Sequence, residues 1–183
     1  MRHPVVRMAL LGIVVSLGAV GVWQVVEARM RRTTDEVGLA VGQRPPSFSA
    51  LDLRGQQQTL KQYRGRVVVL HFWATWCGYC RGEIPKLLEV YNHSAANELT
   101  ILAVSIDQDA AQLSAFVEQA ALPYSIIPNL QADPSISDIY GIRGVPVTYI
   151  LDRDGRIAFR FFGSADLIDA VQRVVAKPTT PQV

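Results

Sequence analysis

Apolar residues follow three rhythms along this chain, and each points to a kind of element. From Met8 to Val26 they run for 19 residues without a formal charge, and at about 1.5 Å per residue that reaches about 28 Å, the depth of a bilayer core. Val67 to Trp73 and Leu99 to Ile106 are shorter apolar runs, as strands covered on both faces require. Ile84, Leu87, Leu88 and Tyr91 recur at helical spacing between Gly78 and about Asn92, with Pro85 expected to kink that helix rather than end it. Leu113, Phe116 and Val117 do the same within Ala110 to Ala121.

Smaller elements fill the gaps. Phe48 to Leu53 and Thr59-Leu60 predict a strand pair about Arg54-Gly55, Ser125 to Ile127 a short strand, and Pro134 to Tyr140 a short helix. Val147 to Leu151 and Ile157 to Phe162 flank Asp152-Arg153-Asp154-Gly155, a hairpin turn sequence. Asp166 to Val175 predicts a closing helix that Pro178 halts. This order is an α/β arrangement, and its terminal antiparallel hairpin excludes a pure doubly wound sheet. The division is residues 1–40 for an anchor and tether, 41–176 for one folded domain entered at Gly42-Gln43-Arg44-Pro45-Pro46, and 177–183 for a frayed tail.

Charge sharpens this division. Residues 1–40 hold five Arg against Glu27, Asp35 and Glu36, whereas from Val41 onward 13 basic residues balance 13 acidic ones. A neutral body lacks the basic stripe of a nucleic-acid binder. The excess positive charge flanks the long apolar segment on both sides, so it does not set a membrane orientation. Val26-Glu27-Ala28 resembles a signal cleavage site, but secretory signal cores run only about 7 to 15 residues, which favours a retained anchor.

The only cysteines, Cys77 and Cys80, stand at CxxC spacing where the first apolar strand meets the first long helix. A thiol there faces unpaired N–H groups and the positive end of the helix dipole, so its thiolate is stabilised. A structural zinc site needs four ligands, and beyond this pair the soft ligands are only the scattered His3, His71 and His93. A c-type haem would need His where Arg81 stands. Closing so short a loop removes little chain entropy, so a purely structural disulfide is disfavoured too. Redox exchange remains, with Cys77, before the helix and facing solvent, as attacker and Cys80, one turn on and facing inward, as resolver. No cofactor is implied.

Phe72-Trp73-Ala74-Thr75-Trp76-Cys77-Gly78-Tyr79-Cys80, with Pro85 and Gly144-Val145-Pro146, resembles the thioredoxin active-site segments. Val41-Gly42, Leu51-Asp52-Leu53, Tyr63-Arg64-Gly65-Arg66-Val67 and Cys80-Arg81-Gly82-Glu83-Ile84-Pro85 are similar to the TlpA/ResA/CcmG group of membrane-anchored, extracytoplasmic thiol-disulfide proteins. The resemblance covers about Val41 to Val174. It implies a thioredoxin-like fold with an N-terminal β-hairpin extension, a cis bond before Pro146, and a Val145 backbone turned toward Cys77 to pair with a client strand. Trp76 would offer clients an apolar contact, though it could equally be core. Tyr79, in place of the usual proline, would restore an N–H near the Cys77 sulfur and make the pair more oxidising.

Glu83, three residues past Cys80 on the same helical face, could raise or relay the Cys80 proton. An acid at this place is characteristic of ResA-like proteins, and a surface glutamate is the alternative. His71 breaks an apolar strand where thioredoxin carries an aspartate; a neutral imidazole there could shuttle a proton, but the expectation is a core histidine with a backbone partner. The implied function is reduction of specific extracytoplasmic disulfides at the bacterial inner membrane, as in cytochrome c maturation or copper-site assembly. A membrane thiol donor would supply electrons, and the soluble domain would be a monomer. A disulfide oxidase or isomerase is the first alternative, a Cu(I) chaperone the second. A peroxidatic cysteine would want Pro and Thr where Leu70 and Ala74 stand.

Overall fold

Seven consecutive residues, Val67–Trp73, are all buried and form the middle strand, β3, of a five-stranded sheet. A strand without a polar face must be covered on both sides, and the rest of the domain does this. The computed structural model describes residues 36–129, 134–163 and 166–177, with Gly21, Trp23 and Gln24. Val37–Val183 is one compact unit, distinct from Met1–Glu36.

In chain order the elements are β1 (Ser49–Leu51), β2 (Gln57–Thr59), a 3-10 turn (Leu60–Tyr63), β3, α1 (Gly78–His93), β4 (Leu99–Ser105), α2 (Ala110–Gln119), β5 (Ser125–Pro128), α3 (Ile136–Ile139), β6 (Val147–Leu151), β7 (Ile157–Phe162) and α4 (Leu167–Val175). The sheet order is β5-β4-β3-β6-β7, and β1-β2 is a separate antiparallel pair. β3 runs parallel to β4 and antiparallel to β6, placing His71 between Ala103 and Thr148. This is the expected thioredoxin-like layout with its hairpin extension.

Alternation along β3 divides the core. Val67, Val69 and Trp73 pack with Leu87 and Val90 of α1 and with Leu167, Ala170, Val171 and Val174 of α4. Val68, Leu70 and Phe72 face Phe48, Ala50 and Leu60 from the extension and Ile136 and Tyr140 at α3. Burying a side chain of this size stabilises by about 1.5–3 kcal/mol, so the extension closes a face that would otherwise be wet. The β6–β7 turn is held by Asp152, whose carboxylate accepts from Arg156 N at 2.8 Å. Gly155 beside it has φ +68°, a conformation that favours glycine.

Two expectations shift. The buried stripe of α1 is Cys80, Glu83, Leu87 and Val90, not the apolar set read from the sequence; Ile84 and Leu88 are half-buried and Tyr91 is exposed. The stripe is rotated because Glu83 lies inward. The expected membrane span falls outside the described residues except Gly21, Trp23 and Gln24, which are helical. No helix among the described residues is long and apolar enough to cross a membrane. Residues 178–183 of the expected tail also lie outside them.

Candidate active site

The C-terminal end of β3 delivers the chain to α1 through Ala74-Thr75-Trp76, and Cys77 becomes the N-cap of that helix. Its backbone is extended, at φ −82° and ψ 108°, and its Sγ accepts a hydrogen bond from Cys80 N at 3.2 Å. Cys77 and Cys80 are joined as a disulfide, with Cα atoms 5.2 Å apart. The N–H that hydrogen-bonds the Cys77 sulfur is that of Cys80. Cys77 is less open than expected. It is 7% exposed, yet Cys80 is fully covered, so any attack from solvent must come at Cys77.

The rim comes from three places. Trp76 and Tyr79 stand out at 62% and 84% exposed, which removes the core reading of Trp76. The loop before β6, the strand beside β3, brings its Val145 carbonyl oxygen to 3.7 Å from Cys77 Sγ. The Val145–Pro146 peptide is cis. Thus Cys77, Cys80, Trp76, Tyr79, Val145 and Pro146 all lie at one end of the sheet.

Glu83 and His71 lie in the core on the α1 side of the sheet, each 1% exposed. His71 Nδ1 is 2.9 Å from Thr148 Oγ1 and 3.7 Å from Glu83 Oε2. Its partner is thus a side-chain hydroxyl on β6, not the backbone group expected, and Glu83 is not a surface glutamate. Among the described residues His71 Nε2 and Glu83 Oε2 have no hydrogen-bond partner; the other buried side-chain atoms in that condition are Trp73 Nε1 and Tyr149 OH. Burial pushes the Glu83 carboxyl above its ordinary range, against a weaker opposing pull from Lys86. Burial also lowers the His71 pKa to about 4. Both directions favour a neutral pair while the disulfide is closed.

One site residue escaped the sequence reading. Asp107, in the loop after β4, accepts from Thr75 N at 2.9 Å, Thr75 Oγ1 at 2.6 Å and Ser105 Oγ at 2.6 Å. It ties the segment before Cys77 to the neighbouring strand. In the sequence Asp107 and Asp109 look alike; only the second caps a helix, α2, through Ala111 N and Gln112 N. Among the described residues, no group of three or more His, Cys, Asp or Glu side chains could hold a metal ion.

A family profile described as the AhpC/TSA family matches residues 41–160. The thiol-disulfide oxidoreductase ResA of Geobacillus thermodenitrificans is 32% identical over 124 residues, covering 68% of this chain and 70% of that protein. The chain belongs to the AhpC/TSA family and is a thiol-disulfide oxidoreductase of the ResA type. The thioredoxin-like protein YneN of Bacillus subtilis is 36% identical over 125 residues, 67% of this chain and 71% of that one. Among solved structures, the thioredoxin domain of a thiol-disulfide oxidoreductase from Bacteroides vulgatus superposes with a TM-score of 0.67 at 27% identity, covering 75% of this chain and 99% of that one. In this ResA-type protein the two positions a peroxidatic cysteine would need, Leu70 and Ala74, are fully buried and carry no polar side-chain atom.

Proposed function

We propose that this oxidoreductase is held at the bacterial inner membrane by residues 8–26 and reduces specific protein disulfides on the extracytoplasmic side. The observation that carries the reading is a cysteine pair with one sulfur at the helix N-cap and the other on the buried stripe of α1 that also holds the Glu83 carboxyl. In the dithiol form the Cys77 thiolate, stabilised by the helix N-terminus, attacks one sulfur of the client disulfide and joins it. The other client sulfur leaves as a thiol. Cys80 then passes its proton to the Glu83 carboxylate and attacks Cys77, so the Cys77–Cys80 bond forms and the client is freed as a dithiol. The Val145 backbone aligns the client as an extended strand, while Trp76 and Tyr79 supply apolar contact.

A membrane dithiol carrier restores the reduced pair. The resemblance set out above supplies the candidate clients: apocytochrome c cysteines awaiting haem, or a copper-site assembly protein. The domain acts as a monomer and uses no cofactor. An oxidase or isomerase is separated from this reading by a small energy, since about 30 mV corresponds to about 1.4 kcal/mol. The test is the reduction potential of the pair, with mixed disulfides trapped in cells carrying Cys80→Ala. A value near or below about −270 mV and an extracytoplasmic client bound to Cys77 support a reductant. A value near about −120 mV would make the protein an oxidant.

A further inference from the structure

The His71–Glu83 pair has a feature that cysteine exchange alone does not use. Two ionisable groups, each 1% exposed, sit 3.7 Å apart on β3 and α1, and each keeps one polar atom without a partner among the described residues. Apart from Lys86, the groups that face them are neutral. β4 offers Ala103 and β6 the Thr148 hydroxyl, and the apolar cluster that includes Cys80 on this side of the sheet takes Leu167, Ala170, Val171 and Val174 from α4. On α1 the neighbours are Cys80 and Lys86, and Lys86 is the charge that acts on Glu83. A carboxylate formed here, with only the weaker pull of Lys86 to offset its burial, would cost several kcal/mol.

We propose that His71 is the counter-charge of Glu83, taking up a proton when Glu83 gives its own to the Cys80 sulfur. The inference rests on the exchange reading above. A donor thiolate attacks Cys77 Sγ, the Cys77–Cys80 bond breaks, and Cys80 leaves with the electron pair and takes the Glu83 proton. The second donor thiol loses its proton, attacks the donor sulfur held by Cys77, and releases Cys77 as a thiolate. Of the two protons the donor dithiol sheds, one reaches His71 and one goes to solvent. The donor ends as a disulfide, and the pair ends as carboxylate and imidazolium. An imidazolium 3.7 Å away favours the carboxylate, so proton transfer to Cys80 becomes less costly. His71 acts on the sulfur only through Glu83 and is a positioning residue.

In the closed disulfide the lowered His71 pKa, about 4, keeps the ring neutral near pH 7, so any protonation on reduction is a change of state. The chain has three histidines, so full-length protein labelled with 15N-histidine in detergent micelles gives few imidazole signals. On adding dithiothreitol at pH 7, the His71 nitrogens are expected to move from neutral to imidazolium shifts, and to stay neutral in Glu83→Gln. A His71 signal unchanged by reduction, or a change that persists in Glu83→Gln, would overturn the proposal. As a kinetic check, His71→Asn should slow disulfide opening by dithiothreitol about tenfold in the wild-type background and add no loss in the Glu83→Gln background. A purely packing role would cost the same factor in both. Since the disulfide opens in every arm, these outcomes are distinct from failure of the exchange reading itself.

Discussion

Two buried polar clusters flank the cysteine loop, and they differ in whether their hydrogen bonds close. Around Asp107 three donors from Thr75 and Ser105 converge on one carboxylate at 2.6 to 2.9 Å. Around Glu83 one carboxylate oxygen and one ring nitrogen of His71 have no partner among the described residues. A closed network rigidifies, while an open one keeps a proton seat available at an energetic cost. The first cluster therefore fixes where Cys77 stands, and on the proposed exchange the second governs what Cys80 can do. The same residue type serves both ends because its surroundings differ.

The largest test of this division is loss of the chemistry itself. Cys77→Ala is expected to abolish reduction of protein disulfides in a turbidity assay with insulin, while the melting temperature of the dithiol form stays close to wild type. Residual turnover would mean that Cys80 can be reached after all. Next, Asp107→Ala orphans three buried donors and is expected to cost about 3–4 kcal/mol in urea unfolding. Glu83→Gln in the same assay is expected to cost under about 1 kcal/mol, since a neutral amide suits the buried site whose desolvation raises the carboxyl's pKa. Equal losses at the two sites would erase the contrast.

A smaller and pH-dependent effect follows from His71. Its folded-state pKa lies below that of the unfolded chain, so the unfolded state binds the proton first and stability falls as pH drops from about 6.5 toward 4. The loss is up to about 3 kcal/mol, and His71→Asn should lack it. Glu83 has the opposite sign. Its folded pKa is raised, so its contribution is complete below the ordinary carboxylate range and is lost as pH rises through the folded value. Thermal melts of wild type, His71→Asn and Glu83→Gln across pH 4 to 8 separate the two opposed slopes, and profiles that neither substitution changes would contradict the buried pair. Smallest in stability terms is Tyr79→Ala. An exposed side chain should change unfolding by less than about 0.5 kcal/mol, while client reduction slows several-fold because the rim contact is gone.

The sheet was legible where pattern alone decides. β3, β6 and β7 begin and end where apolar runs and the Asp152–Gly155 turn place them, because a strand buried on both faces leaves a signal that no neighbour can alter. The inner face of α1 was legible only in part. Spacing from Cys80 and the family resemblance already set Glu83 on the inner face, but helical spacing of apolar residues put Ile84, Leu88 and Tyr91 there too, and only packing against β3 shows that the buried stripe is Cys80, Glu83, Leu87 and Val90. Asp107 was hidden for a related reason. Its partner Thr75 is 32 residues away, and nothing in the local sequence separates it from the cap at Asp109. The cysteines were found at once because their spacing is itself chemical, whereas the proposed proton path depends on β3, β6 and α1 meeting.

The central claim is that Cys77 alone meets the client and Cys80 resolves. Mass spectrometry of reduced Cys80→Ala mixed with a disulfide-bonded protein tests it most directly. The account predicts a stable adduct at Cys77, and no adduct at Cys80 in the matching Cys77→Ala protein. An adduct at Cys80 of comparable yield, or none at Cys77, would contradict it.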